Sequence, residues 1–180
     1  AEEQLRRRLL ELRGERVRPS LDDKILTDWN GLMMAAYARA GFVLDSPELL
    51  ERAAKVGQFI HNHLMNKDGD LLHRYRNGEA GILGQLEDHA FYAFGLLELY
   101  EASFEPRYLQ RAVDVVERMM DAFAAEDGGG LYQTAKGGEK LIVRPREHYD
   151  GALPAGNSVA ADVMLRLARL TGRVDLEGGA

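Results

Sequence analysis

No cysteine occurs among the 180 residues, so disulfides, thiol catalysis and thiolate zinc sites are excluded within this chain. The same absence fits a cytosolic or an exported protein, and a cytoplasmic location is the working expectation. Long apolar runs are missing too. None approaches the roughly 20 residues that span a bilayer, and the opening AEEQLRRRLLEL sets charge between its leucines, unlike a signal peptide. The chain therefore reads as soluble, with no membrane partner. Basic residues are the minority, 23 against 29 acidic for a net charge of −6. That balance gives a phosphate backbone nothing to gather around, so nucleic acid is excluded as an expected partner. The sequence starts without methionine and in mid-pattern, and is expected to be a segment of a longer protein.

What is present is helical periodicity in a chain that is 46% hydrophobic, enough for one domain over residues 1–180 with a real core. Leu5, Leu9 and Leu12 recur at spacings of four and three, predicting an amphipathic helix over 1–14 that ends at Gly14. A polar connector with Pro19 follows, and Thr27 or Asp28 is placed to cap a helix reaching about Leu44. Beyond a turn at Asp45-Ser46-Pro47, the apolar spacing from Leu49 to Leu64 predicts a second helix. Residues 67–78 carry turn chemistry at both ends of LLHRYR and predict a small β excursion. Two further helices are expected from about Gln85 to Phe104 and from about Arg107 to Phe123. The run LYQTAKGGEKLIVRP is read as a second β-hairpin around Lys136-Gly137-Gly138. A last apolar helix starts near Asn157, and residues 173–180 read as a frayed tail.

The helices repeat. Leu26-Thr27-Asp28 aligns with Leu86-Glu87-Asp88 at an offset of 60 residues, and a third opening lies at Asn157-Ser158. Units of this size must stack to bury their apolar faces. An all-α chain of such hairpins can close into a toroid whose inner helices begin at one rim. Free amides and positive dipole ends would gather there, beside carboxylates, amides and an indole suited to a hydroxyl-rich ligand.

The strings RPSLDDKILTDWNGLMMAAYARAG, LEDHAFYAFGLLELYEA and LIVRPREHYDGALPAGNSVAA resemble the C-terminal part of the family typified by spermatogenesis-associated protein 20 and the bacterial YyaL proteins. The likeness runs from about Arg18 to Gly172. It implies a parent with an N-terminal thioredoxin-like domain, absent here, followed by an (α/α)6 toroid of the six-hairpin glycosidase-like class. Three units begun make roughly half of that ring. Uncovered helix faces then imply self-association of this chain. Two functions are compatible with the resemblance: a carbohydrate epimerase, isomerase or hydrolase, or a non-catalytic helical-repeat binding module serving the thioredoxin-like domain. No cofactor is implied.

The candidate residues follow from the rim. Asp88 reads as a cap, an inter-helix bond or a contact to a substrate hydroxyl. Glu147 and Asp150 are candidate acid and base in the densest titratable loop, with Arg144 tuning them and His148 beside them. Asp23, Asp28, Trp29, Asn30, Glu87, His89, Arg144, His148 and Asn157 are candidate substrate contacts. Trp29 reads as core packing or as a stacking platform for a sugar ring. His89 stands where the family resembled has Tyr more often, in a motif like EDYAF, which favours packing or substrate contact over essential catalysis. No His, Asp or Glu set has the compact spacing of a zinc or iron site, so no metal is expected.

Overall fold

The computed structural model describes residues 2–139 and 141–178. In chain order its elements are α1 (Glu2–Gly14), β1 (Ile25–Leu26), α2 (Thr27–Val43), α3 (Pro47–His63), β2 (Leu72–Arg76), β3 (Glu79–Leu83), α4 (Leu86–Ser103), α5 (Pro106–Phe123), α6 (Gly156–Thr171) and α7 (Val174–Glu177). Helices α2, α4 and α6 stand side by side, with α3 and α5 packed behind them. This is an arc of helical hairpins, with α4 at its centre.

Local chemistry explains the boundaries. Pro47 and Pro106 occupy the first helical positions of α3 and α5, where a missing N–H costs nothing and the fixed φ suits a helix. Helix α5 buries Tyr108, Ala112, Val115, Val116, Met119 and Phe123 on one face. Helix α4 is enclosed on most sides by α2, α5 and α6, and buries nearly every residue from Leu86 to Leu99. Strands β2 and β3 are joined by Asn77-Gly78, both with positive φ (53° and 84°). Such a two-residue turn matches the strand twist. The excursion thus has two paired strands, and the end of the first connector adds β1, whose Ile25 and Leu26 pair with Tyr75 and Arg74.

Helices α2 and α4 meet backbone to backbone. A Cβ on Gly31 would lie 2.6 Å from the Phe91 carbonyl, and one on Gly95 would lie 2.6 Å from the carbonyl oxygen of Gly31. Farther along, buried Glu98 of α4 lies 3.3 Å from Arg39 of α2 and 2.9 Å from Arg166 of α6. One carboxylate thereby joins three inner helices. Arg166 also donates to Glu101 at 2.8 Å and lies over the Phe94 ring.

Two expectations change. The run from Leu131 onward makes no hairpin among the described residues, and Lys140 lies outside them. The Tyr132 and Lys136 amides donate to Phe123 and Ala122, and the Gln133 amide bonds across the run to Pro145 without a strand ladder forming. Bonds to the end of α5, with isolated bonds inside the run, take the place of a ladder. Residues 173–178 are held rather than frayed, because α7 buries Leu176 and Arg173 bonds to Glu117 and Asp175; Gly179 and Ala180 lie outside the described residues. Helix α1 forms as expected but buries no residue.

The glycine contact yields a test. Gly31→Ala places a methyl group against main chain that has no rotamer with which to yield. Overpacking of this kind costs about 1–3 kcal/mol, more than the ~1 kcal/mol of helix propensity that alanine returns. Gly14→Ala, with nothing within 4 Å of the added carbon, is expected to cost no stability. Urea unfolding of the two variants measures the difference.

Candidate functional site

Helix α2 opens beside α4, and the two openings share one carboxylate. Asp88 is 0% exposed. Its Oδ1 accepts the backbone N–H of Asp28 at 3.1 Å, and its Oδ2 accepts the Gln85 N–H at 2.8 Å. The Gln85 side chain in turn accepts the Asp88 amide, completing a capping box. Thr27 does not cap α2, because it donates its hydroxyl to Leu72 on β2 at 2.6 Å, whereas Asp28, inside the first turn, accepts the Trp29 amide at 2.7 Å and its own amide needs another partner. The cap comes from the next unit, 60 residues on.

The remaining partner of Asp88 is His73 of β2, whose Nδ1 lies 3.0 and 3.1 Å from the two carboxylate oxygens. An ionised carboxylate can only accept, so Nδ1 carries the proton and Nε2 holds the ring's lone pair or second proton. The bond to Asp88 raises His73 above the usual imidazole value, with Asp28 adding to the effect. Burial lifts Asp28 above the ordinary carboxyl range, and the charge of Asp88 adds to that. Ligand atoms of Asp28, His73 and Asp88 lie within 4.8 Å of one another, a grouping that linear spacing did not reveal. By distance the three could receive a cation. A cation bound to Asp88, however, would have to displace His73 or a helix amide, since those donors engage both oxygens. The arrangement is better suited to holding and moving a proton.

Adjacent residues of α4 point to three different helices. Glu87 faces α6: a Cβ on Gly156 would lie 3.2 Å from its Oε1, and burial raises its pKa while a bond from Gln133 opposes the rise. Asp88 faces α2. His89 faces α5, with its ring edge-on to Phe123 at 5.0 Å, and so points away from the Asp28 side of the rim.

Other candidates have local roles. Trp29 is 59% exposed, so it is not the packing residue that one reading expected. The Asn30 side chain donates to Leu26 at 2.7 Å, and Asp23 pairs with Arg76 at 2.6 Å. Arg144 lies over the Tyr132 ring, 4.2 Å from its centre, and donates to Thr134. Glu147 accepts the amides of His148 and Tyr149, while Asp150 accepts the Ala155 amide at the start of α6. That bond, with one from Ser158, holds Asp150 below the usual carboxyl value. Glu147 and Asp150 thus bind their own loop, and the geometry gives no sign of the expected acid–base pair tuned by Arg144. Asn157 ties α6 to Leu131 and Glu147, and with His148 it lines a cleft of about 300 Å³.

Human spermatogenesis-associated protein 20 is 36% identical over 178 aligned positions, spanning 93% of this chain and 23% of the relative. The mouse protein of the same name is 35% identical over 93% of the chain. Over this region the chain is similar in sequence to the spermatogenesis-associated protein 20 family. It spans about a quarter of the length of those relatives and matches no protein-family model. Among solved structures it resembles a cellobiose 2-epimerase from Spirochaeta thermophila (TM-score 0.70, 17% identity, 87% of this chain and 41% of that one). It also resembles a family 76 glycoside hydrolase (mannosidase) from Bacteroides thetaiotaomicron (TM-score 0.66, 18% identity, 91% and 44%) and a D-mannose isomerase (TM-score 0.66, 12% identity, 87% and 41%). These likenesses show the fold, a six-hairpin toroid of which this family segment forms an arc. Among the described residues no helix is long and apolar enough to cross a membrane.

His73 and His89 should titrate with opposite effects on stability. His73 is raised when folded, so the folded state holds the extra proton and stability falls as pH rises from the unfolded value of 6.5 through the raised one. His89 is lowered by burial, so the unfolded state binds the extra proton and stability falls as pH drops below 6.5. Urea unfolding between about pH 5 and 8 should show the advantage of wild type over His73→Gln shrinking as pH rises. Its advantage over His89→Phe should grow over the same interval.

Proposed function

We propose that the rim around Asp28, His73, Glu87 and Asp88 binds a carbohydrate and catalyses reversible proton transfer on it, as in sugar isomerisation or epimerisation. The observation that carries this reading is the His73 imidazole set by a buried carboxylate that two helix amides also hold. A histidine fixed in one tautomer, with its basicity raised by the bond to Asp88, suits a general base. Its Nε2 would take the proton from the carbon beside the sugar carbonyl. Asp28, inclined by burial to keep its proton, would protonate the carbonyl oxygen to give an enediol. Return of both protons to carbon and carboxylate completes the cycle with no other reactant. Glycoside hydrolysis is less well supported, because it calls for two carboxyl groups roughly 5–9.5 Å apart, free to act as acid and as base or nucleophile. Asp28 and Asp88 lie closer than that, and Asp88 is fully engaged. The carbohydrate-active names among the structural neighbours support the substrate class.

The test uses the full natural polypeptide. D-Mannose and D-glucose incubated in deuterium oxide should acquire deuterium at C2, read by proton NMR. His73→Gln should slow the exchange by about 10²–10⁴-fold, the usual contribution of a general base, while sugar binding persists. Binding without exchange in wild type would instead favour the non-catalytic module serving a thioredoxin-like domain. Absence of sugar binding would remove the carbohydrate reading altogether.

A second proposal concerns association. Trp29, Met33 and Val43 leave an exposed apolar edge on α2, and such edges draw copies together. The chain by itself is expected to self-associate, with Trp29→Glu or Met33→Glu shifting it toward monomer in solution scattering. A monodisperse wild-type monomer would count against this.

A further inference from the structure

Behind the rim, between α4 and α5, lies a separate cavity of about 330 Å³. His89 and Phe123 form its inner wall, and Asp70, Arg118 and Asp121 are among the residues around it. His89 is 6% exposed. Its Nδ1 lies 2.9 Å from the carbonyl oxygen of Gln85, which can only accept, so Nδ1 carries the proton. Burial holds the ring below the ordinary imidazole value, leaving it neutral near pH 7 with a bare lone pair on Nε2. Packing against Phe123 fixes the ring's orientation. Gly84 completes the wall where a Cβ would lie 3.2 Å from His89 Cε1 and 2.7 Å from the Leu71 carbonyl, so the backbone there closes tightly around the imidazole. Arg118 and Asp70 lie 3.5 Å apart as a partly exposed ion pair.

We infer that this cavity binds a single hydroxylated ring, one monosaccharide unit, at a site distinct from the rim. The inference rests on the carbohydrate reading above. Three acceptors, the Asp70 and Asp121 carboxylates and His89 Nε2, suit a ligand rich in O–H donors. Arg118 supplies the donor that a ring oxygen or hydroxyl accepts, and the partly exposed Leu83, Ala122 and Ala135 supply apolar surface for the C–H face of a sugar. Two carboxylates against one guanidinium leave the walls net negative, which disfavours sugar phosphates and uronates. The volume is at the lower end of the range for ligand pockets, about 300–1,000 Å³, and suits one ring better than an oligosaccharide.

The experiment follows the ring nitrogen signals of His73 and His89 by nitrogen-15 NMR while the full natural polypeptide is titrated with D-glucose, D-mannose and D-glucose 6-phosphate. The His89 signals should move saturably with at least one neutral sugar and stay in place with the phosphate. The response should survive His73→Gln and weaken several-fold in the exposed variant Asp121→Asn. Near-ultraviolet circular dichroism confirms that each variant is folded. Movement of His73 alone would overturn the second site and leave the rim reading intact. Stillness of both histidines would overturn the two together. A His89 response that vanishes in His73→Gln would make it an echo of the rim and also overturn the proposal.

Discussion

The contact between Gly31 and Gly95 fixes the distance between α2 and α4, and the polar architecture depends on that distance. Only without side chains at this crossing can the two backbones come so close. Their approach brings the first-turn amide of α2 within reach of a carboxylate on α4. A wider crossing would leave the Asp28 amide without its partner and Asp88 as a buried charge with less compensation, a costly state in a low-dielectric interior. Packing in the middle of the helices therefore sets the chemistry at their ends.

Asp88 shows how structure and chemistry can share one group. The bonds that cap two helices immobilise its carboxylate, and that immobility gives His73 a defined proton position. A freely rotating carboxylate would serve a catalytic histidine less well. Glu98 performs the corresponding structural task farther along the same helix, holding α2 and α6 through Arg39 and Arg166.

Much of this was legible in the sequence. Apolar spacing located α1 through α6 to within a few residues, and the repeat offset identified Asp28 and Asp88 as equivalent positions. That the same offset would appear as a direct bond between the two was not readable, because register between helices is set by close packing at glycines rather than by periodicity. His73 escaped notice for a related reason. Within LLHRYR it is one polar residue of a short strand, and only the pairing of β1 with β2 brings it to Asp88. Glu147, Asp150 and Asn157 drew attention by their density of polar groups, yet loops lacking regular ladders need such side chains to satisfy their own amides and carbonyls. The run after Leu131 has strand-like composition but bonds to the ends of α4 and α5, a tertiary choice invisible to local pattern.

The origin of each cap also bears on how the chain assembles during synthesis. Helix α6 is closed at its start by Asp150, five residues before the amide it accepts, so its opening can be completed as soon as that short stretch exists. The amide at the start of α2 must wait for Asp88, which the ribosome adds 60 residues later. The first hairpin therefore leaves the exit tunnel with an open end and is completed only when the second arrives, so that the second unit stabilises the first backward along the chain.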